Sequence, residues 1–218
     1  MKTKIQFFAI LLLGLILSFC SNPNIDGKNS EKVLKRVHAF FDTSKTHREP
    51  YANNIINYNR AKKWSKKLMV DNIDTSLDKF QLKIWFNVGG LSSRKRLFVI
   101  NCSTTDLQAK LYRFEESYTN RGEIGGVKML MKNPKSGWNS FTDQFFSDDF
   151  FSLFQSHADY EDGSGTDVEG VIFELITSQK YSFADYFGIL TTTQDMPIVN
   201  LVKRLVVLIE KEFDFSQI

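Results

Sequence analysis

The chain has 218 residues, 42% of them hydrophobic and 14% aromatic, and its formal net charge at pH 7 is +3. The aromatic share, which includes 20 phenylalanines, excludes a chain that is disordered throughout and predicts a packed interior. The near-balanced charge gives no reason to expect a nucleic-acid partner. The length suits one domain with a sizeable core.

The first twenty residues form the most distinctive stretch of the chain. Lys2 and Lys4 make a short basic region, and residues 5–19 carry no charge and almost only apolar side chains. About 15 such residues are too short to cross a bilayer core of roughly 30 Å, but they have the length of the apolar region of a signal peptide. We therefore expect residues 1–19 to be a signal peptide that directs the remainder out of the cytoplasm.

The end of this stretch, Leu17-Ser18-Phe19-Cys20, resembles the lipobox of bacterial lipoproteins. The resemblance implies that Cys20 is acylated and becomes the mature N-terminus, and that residues 20–29 tether the domain to a membrane. By the same resemblance, Ser21 implies sorting to the outer membrane, and the lack of an acidic run after it favours the periplasmic face. An uncleaved N-terminal anchor and an ordinary signal peptide cut nearby are the alternatives.

Charge is segregated along the chain. Residues 28–67 carry 11 Lys and Arg against 3 Asp and Glu, whereas residues 143–179 carry 9 Asp and Glu and no basic residue. The basic part includes a cluster around Trp64. That cluster is consistent with contact to anionic headgroups, with a solvated helix face, or with pairing to the chain's own acidic segment.

The chain contains two cysteines, Cys20 and Cys102. If Cys20 carries lipid, no intramolecular disulfide is possible, and the fold depends on its core alone. Cys102 lies in an apolar strand pattern, so we expect it to be a small buried hydrophobic residue.

Two helices are predicted in the basic part. The first begins at Ser30 as its N-cap, and its apolar face consists of Val33, Leu34, Val37, Phe40 and Phe41. The second is predicted over residues 51–68. Its apolar side consists of Ile55, Ile56, Trp64 and Leu68.

Four strands are predicted next, over residues 79–88, 95–102, 107–116 and 127–132. The first alternates most clearly: Phe80, Leu82, Ile84, Phe86 and Val88 fall on one face, and Gln81, Lys83, Trp85 and Asn87 on the other. Short turns separate these segments, which predicts an antiparallel meander with one wetter face.

The acidic C-terminal half is predicted to cover the sheet. A stripe of phenylalanines between Trp138 and Phe154 has helical spacing, with a break near residues 147–149, and is expected to be core. A hairpin follows over residues 168–176 and 180–187. A long apolar helix over residues 198–213, with Asp195 as its N-cap, is expected to be the most buried helix and to lie across the sheet. The grouped strands predict an α+β class and a single domain over residues 30–218, with a basic helical part at 30–68.

Several local features together resemble a known group of proteins. They are the run 73–78 leading into Phe80-Gln81-Leu82-Lys83-Ile84-Trp85, Trp138 with Phe141 and Phe145, Asp162-Gly163, Phe173-Glu174, Tyr181 with Tyr186, and the closing Ile209-Glu210-Lys211-Glu212-Phe213. They resemble uncharacterised predicted lipoproteins of the Bacteroidota type. The resemblance covers about two thirds of the chain and implies an envelope location and a single domain, but no activity.

The sequence contains no motif that specifies a reaction. One cluster of carboxylates stands in a Gly- and Ser-rich segment: Asp159, Glu161, Asp162, Asp167 and Glu169. These oxygens are of the type that bind Ca²⁺, so the cluster is a candidate metal site, although its spacing does not fit an EF-hand. The alternative is a solvated acidic loop.

These observations favour a non-catalytic binding module of the cell envelope, held at the membrane by lipid and in contact with a protein partner. The reasons are the anchor, the segregated charge and the lack of a catalytic motif. An envelope hydrolase that uses the acidic loop 157–169 with His157, or a small-ligand carrier with an aromatic-lined cavity, is the alternative. No organic cofactor is expected.

Overall fold

The computed structural model describes residues 23–43, 55–70, 79–89, 92–120, 122–155 and 169–215. In chain order the elements are helix α1 (Pro23–Thr43), helix α2 (Ile55–Lys67), strands β1 (Lys79–Gly89), β2 (Arg94–Ser103), β3 (Leu107–Glu116) and β4 (Ile124–Lys132), helix α3 (Gly137–Phe145), a 3₁₀ helix (Phe150–Phe154), strands β5 (Glu169–Thr177) and β6 (Tyr181–Phe187), and helix α4 (Pro197–Phe213).

The six strands form one antiparallel sheet in the order β4-β3-β2-β1-β5-β6. The predicted meander is confirmed as β1 to β4, and the predicted hairpin β5–β6 adds to the other side of β1. The strands are grouped and the helices pack on the sheet, so the class is α+β, as predicted. β1 lies inside the sheet with β2 and β5 as neighbours.

The inner face of the sheet, as we call the face that bears Phe80, Leu82 and Ile84, carries the main core. Helices α1, α3 and α4 and the 3₁₀ helix contribute their apolar side chains to the same cluster. The predicted phenylalanine stripe is confirmed as core, and it is divided between α3 and the 3₁₀ helix. The hydroxyl of Tyr186 on β6 donates to the carbonyl of Leu153 at 2.6 Å, which fixes the 3₁₀ helix against the sheet.

The opposite, outer face of the sheet carries a second, smaller core. Trp64 on α2 packs on Trp85 of β1 and Phe114 of β3, with ring centroids 5.6 and 5.4 Å apart. α2 is the helix that contributes to this core among the described elements. Helix α2 buries part of the outer face. The face that was predicted to be more exposed to solvent is therefore exposed over only part of its area.

A β-bulge in β1 corrects one prediction about sidedness. The pairing with β5 shifts between Phe86 and Val88, and Asn87 between them has a φ of 61°. One extra residue reverses the alternation of side chains. Val88 therefore packs in the outer core instead of continuing the inner face as the alternation predicted.

Helix α1 begins at Pro23, seven residues before the predicted start. A proline suits the first position of a helix, where its missing N–H is not needed. Ser30 is thus an interior residue and not the N-cap. Its hydroxyl donates to the carbonyls of Gly27 and Thr104 at 2.9 and 3.0 Å, and the second of these bonds joins α1 to the turn between β2 and β3.

The apolar side predicted for α2 is partly wrong. Trp64 is buried, but Ile55 and Ile56 are exposed. The face that meets the sheet contains Tyr58, Ala61 and Trp64, and a period of 3.6 residues points Ile56 away from that face. The residues 51–54 of the predicted helix lie outside the described part of the chain.

Helix α4 spans nearly the predicted residues and is amphipathic, with a broad buried side. Nine of its residues are buried, among them Val199, Val202 and Leu205, while Val207 is exposed. The N-cap is Met196 without a side-chain cap; Asp195, the predicted cap, accepts a hydrogen bond from the side chain of Asn200 at 2.7 Å.

Part of the segregated charge is paired within the fold. Lys32 on α1 contacts Asp143 on α3, with Nζ and Oδ1 2.6 Å apart, and Arg36 lies 3.8 Å from Asp148. The bases of α1 thus meet the start of the acidic segment. Arg60, in the cluster around Trp64, pairs instead with Glu116, outside that segment, so the three interpretations of the cluster stay open. Among the described residues no helix has the length and apolarity to span a membrane.

A groove on the outer face of the sheet

The candidate site lies on the outer face of the sheet, next to the C-terminal end of helix α2. At its first turns, Asn57 donates to Asp185 of β6 at 3.1 Å, and Arg60 pairs with Glu116 of β3 at 3.4 Å. The chain turns after Lys67, where the amide of Val70 donates to the carbonyl of Ser65 at 3.0 Å. Among the described residues, the outer face next to that turn is open.

A groove with a volume of about 330 Å³ occupies this open region. One wall consists of Met69 and Val70, which follow α2. The floor consists of side chains from β1, β2 and β3, namely Lys79, Gln81, Val99, Asn101, Gln108, Lys110 and Tyr112. This volume is at the lower end of the range of roughly 300–1,000 Å³ that is typical of small-molecule sites.

Sheet register places three amide side chains in one row across the floor. Gln81 is opposite Asn101, and Asn101 is opposite Gln108. Gln81 Nε2 donates to Asn101 Oδ1 at 2.8 Å, and Gln108 Nε2 donates to Asp106 Oδ2 at 2.7 Å. Each amide carries both donors and acceptors, so the row offers alternating hydrogen-bonding groups to a molecule in the groove.

The acceptor of Gln81 is the most unusual atom of the groove. The residue is 5% exposed, and its Oε1 accepts no hydrogen bond from any residue that the structure describes. A buried polar atom without a partner costs about 1–3 kcal/mol. A ligand that donates a hydrogen bond to this oxygen would remove that cost.

Three charged side chains are among the described residues that line the groove, namely Lys79, Lys110 and Asp106. Burial raises the pKa of Tyr112, so its hydroxyl remains protonated and able to donate a hydrogen bond at neutral pH. The described part of the groove therefore combines hydrogen-bond donors with the buried acceptor of Gln81.

Two methionines extend this surface toward the edge of the sheet. Met131 is opposite Lys110 and Met129 is opposite Tyr112, so both lie on the outer face beside the groove. They are 58% and 47% exposed, and β4 is an edge strand. We call Met129 and Met131 the methionine pair. Flexible, polarisable thioethers are common where a surface adapts to a partner.

Other ionisable groups on the outer face are sealed beneath α2. The Nζ of Lys83 lies 3.0 Å from Ser65 Oγ and 3.8 Å from Glu174 Oε2, and neither side chain of the ion pair is more than 1% exposed. Burial raises the pKa of Asp185 to about 6, against the opposing effect of the hydrogen bond from Asn57. Lys83, Glu174 and Asp185 thus lie at the contact between α2 and the sheet. They do not line the groove.

Of the site residues predicted from the sequence, Glu169 alone falls within the described part of the chain. Cys20, Asp159, Glu161, Asp162 and Asp167 are outside the described residues. Glu169 is the first residue of β5, opposite Gly89, and its carbonyl accepts from the amide of Gly188. Within the described ranges no group of His, Cys, Asp and Glu is arranged to hold a metal. The Ca²⁺ site and the lipidation of Cys20 stay predictions.

The groove itself was not predicted from the sequence. Its signal was present: Gln81, Asn101, Gln108 and Lys110 are polar positions in the otherwise apolar alternation of three strands. Polar residues on one face of a strand are also what ordinary solvent exposure produces. Only the register shows that the three amides form one row beside the end of α2. Comparison of this chain with protein-family models, curated proteins and solved structures finds no match.

Proposed function

We propose that this protein is an exported, lipid-anchored protein of the cell envelope that binds a protein partner through the open part of its outer face and catalyses no reaction. The observation that carries the proposal is the contrast between the two faces of the sheet. The inner face is covered by α1, α3, α4 and the 3₁₀ helix, whereas the outer face presents the groove and the exposed methionine pair side by side.

The chemistry of the groove supports binding over catalysis. Its central row consists of Gln81, Asn101 and Gln108, and carboxamides neither transfer protons at neutral pH nor act as nucleophiles. Amides and lysines beside exposed apolar side chains are instead the mixture that recognises polar groups of a partner.

The anchor in this proposal is Cys20, and the periplasmic face of the outer membrane is the proposed location. The support is the order of the N-terminal features: a basic start, an apolar stretch of signal-peptide length and a cysteine at its end. Two or more acyl chains hold a protein at a membrane stably, since each buried CH₂ contributes about 0.8 kcal/mol.

Site-specific photocrosslinking in native cells tests the binding surface. A benzophenone amino acid is placed at Met131 or, as a control, at Val207 on α4, because the two side chains are similarly exposed (58% and 61%) on opposite sides of the sheet. We expect a discrete crosslinked species from position 131 and none from position 207. Identical products from both positions, or none from either, would contradict binding through the outer face.

The same experiment with Cys20→Ala tests the anchor. Membrane fractionation should place the wild-type chain with the outer membrane and the variant in a soluble fraction or at the inner membrane, and the crosslink from position 131 should weaken because the protein is misplaced. Unchanged fractionation of Cys20→Ala would remove lipidation from the proposal and leave the binding surface to be judged on its own crosslinks.

A further inference from the structure

We propose that strand β4 is the contact between two copies of this chain, which pair edge to edge as antiparallel strands around a two-fold axis at Met129. The inference rests on the proposed function and deepens it, because it names a second copy as the partner that the methionine pair meets. In such a dimer the six-stranded sheet of one copy continues into the sheet of the other.

The two edges of the sheet differ in their exposure. In β6, at one edge, every side chain is buried or half-buried. In β4, at the other edge, all residues from Gly125 to Met131 are exposed. The large apolar residues among them are Val127, Met129, Leu130 and Met131. Among the described elements β4 pairs with β3 alone, so its other side presents unpaired backbone groups, and an apolar edge of this kind is a template for another strand.

The regular part of β4 determines how much of the strand is available for pairing. The register with β3 shifts between Arg113 and Glu115, and Gly126 beside this shift has a φ of 59°. A bulge interrupts regular pairing, so a second strand can pair regularly only from Val127 onward. Residues 127–132 are therefore the available segment, which has about the usual length of a strand.

Symmetry limits the registers in which this segment pairs with itself. Opposite residues of an antiparallel pair point to the same face, so a two-fold axis normal to the sheet must pass at a single residue. An axis at Leu130 would place Lys128 opposite Lys132 of the other copy, and an axis at Lys128 would place that lysine opposite itself. Like charges in direct opposition destabilise a strand pair. An axis closer to either end of the segment would leave most of it unpaired.

The register centred on Met129 matches the exposed side chains of the two copies. On the outer face, Met129 meets its own counterpart and Met131 meets Val127 of the other copy, so apolar side chains cover one another. On the opposite face, Lys128 lies opposite Leu130. The stem of the lysine can cover this leucine while its ammonium group stays in water.

The charges at the two ends of this register are complementary. Lys132 of one copy lies opposite Gly126 of the other, which has no side chain in the way. Glu115 of β3 flanks that glycine, since a Cβ added to Gly126 would lie 3.9 Å from Glu115 Cγ. The Nζ of Lys132 donates to the carbonyl of Phe213 at 3.0 Å, which uses one of its three donors. A cation thus approaches a carboxylate at both ends, and this self-complementarity favours a second copy over an unrelated strand.

Disulfide trapping in native cell envelopes, with copper phenanthroline as the oxidant, tests the register. Single cysteines replace Met129, Met131 or, as a control, the exposed Val207 of α4 in the full-length chain. The chain without an added cysteine, which keeps Cys20 and Cys102, gives the background.

We expect Met129→Cys to form a disulfide-linked dimer, because the two copies of this position are direct neighbours across the axis. The two copies of position 131 lie four residues out of register, roughly 13 Å apart. Met131→Cys and Val207→Cys should therefore give at least about tenfold less dimer. A mixture of Met131→Cys and Val127→Cys copies should form the mixed dimer.

Charges placed at the axis provide a second, reversible test. Met129→Lys or Met129→Glu alone sets like charges opposite each other and should reduce the co-purification of two differently tagged copies about fivefold. A mixture of one Lys copy and one Glu copy should restore it. Because residue 129 is exposed, neither substitution should disturb the fold of the single chain, and Val207→Lys should have no effect.

Equal trapping of Met129→Cys and Met131→Cys, or no recovery in the mixture of Lys and Glu copies, would overturn the proposal. The proposed function would still hold if photocrosslinking at Met131 captured a species whose mass is not twice that of the chain. No crosslink at Met131 and no disulfide at position 129 would overturn both.

Discussion

Lys83 and Glu174 are cross-strand neighbours on β1 and β5, and their charged ends meet beneath α2 with Nζ and Oε2 3.8 Å apart. Ser65 of α2 accepts a hydrogen bond from the same Nζ at 3.0 Å. The pair thus joins the helix and two strands at a point from which water is excluded. Burying two charges is costly unless they compensate each other, so each side chain depends on the other.

The first prediction concerns this buried pair. Lys83→Met should lower the free energy of unfolding by about 3–5 kcal/mol, because Glu174 is left as a buried charge without its cation. The double variant Lys83→Met with Glu174→Leu should be as stable as the wild type or more stable by about 1–4 kcal/mol, because no charge remains to be buried. Denaturant unfolding followed by tryptophan fluorescence measures both.

A matched control for the same substitution is Lys35→Met on α1. Lys35 pairs with Glu31 at 2.7 Å, but both side chains are more than half exposed. Its loss should change the free energy of unfolding by less than about 0.5 kcal/mol. If Lys83→Met cost no more than Lys35→Met, the charges would not be sealed beneath α2.

The second prediction is a pH dependence set by Asp185. Burial raises its pKa from 3.8 to about 6 in the folded protein. The folded state therefore binds a proton more tightly than the unfolded state, and stability falls as the pH rises from about 4 to 6. The full difference corresponds to about 3 kcal/mol above pH 6 and vanishes below pH 4.

The variant Asp185→Asn isolates this contribution. The amide keeps an acceptor for Asn57, which donates to Asp185 at 3.1 Å, and removes the buried charge. At pH 7.5 the variant should be more stable than the wild type, and the two should converge near pH 4. Unfolding curves across this range would refute the prediction if the two profiles remained parallel.

The third prediction concerns the reactivity of Cys102. Burial, and to a smaller extent the negative charge of Asp106, raises the pKa of its thiol to about 12, and the Sγ donates to the carbonyl of Ser30 at 3.6 Å. In the Cys20→Ala background a thiol-specific reagent at pH 8 should react with the native protein far more slowly than with the chain in guanidinium, because the thiolate is the reactive form.

Asp106→Asn is the informative second variant for this thiol. Burial is the larger cause of the raised pKa, so removing the carboxylate should leave native Cys102 almost as unreactive as before. Native rates that approach those of the unfolded chain would show that the residue is accessible and would contradict its place in the core.

The fourth prediction tests the bulge in β1. Asn87 has a φ of 61°, a conformation that asparagine and glycine tolerate and β-branched residues do not. Asn87→Val should lower the free energy of unfolding by about 1–2 kcal/mol, whereas Asn87→Gly should be close to neutral. Similar losses in both variants would point to the hydrogen bond from Nδ2 to the carbonyl of Arg94, at 3.4 Å, instead of backbone strain.

Much of the architecture could be predicted because it depends on local patterns. The alternation of β1 predicted an inner face with Phe80, Leu82 and Ile84, and this face is core. Cys102, predicted to be buried from its apolar surroundings, is 2% exposed. Periods of two and of 3.6 residues are properties of a single segment, so they can be recognised without knowing what the segment packs against.

The predictions of side-chain burial were wrong where packing against other segments decides which face of a strand or helix is buried. Val88 changes faces because the pairing of β1 with β5 contains a bulge, and pairing is a property of two strands. Ile56 is apolar and lies in a helix, but it is exposed because α2 meets the sheet through another face. Neither the bulge nor the orientation of α2 has a signal within its own few residues.

The sequence by itself determined the predicted export signal and Cys20, the α+β class and the alternation of most strands, because each follows from the order of residues in one stretch. The tertiary structure alone decided the candidate site. Gln81, Asn101 and Gln108 belong to three strands, and only sheet register places them in one row. That row lines the groove beside the end of α2. Oε1 of Gln81 accepts no hydrogen bond from a described residue, because Asn101 engages the other polar atom of the side chain, Nε2. Hydrogen-bond satisfaction depends on positions in space and not on sequence order.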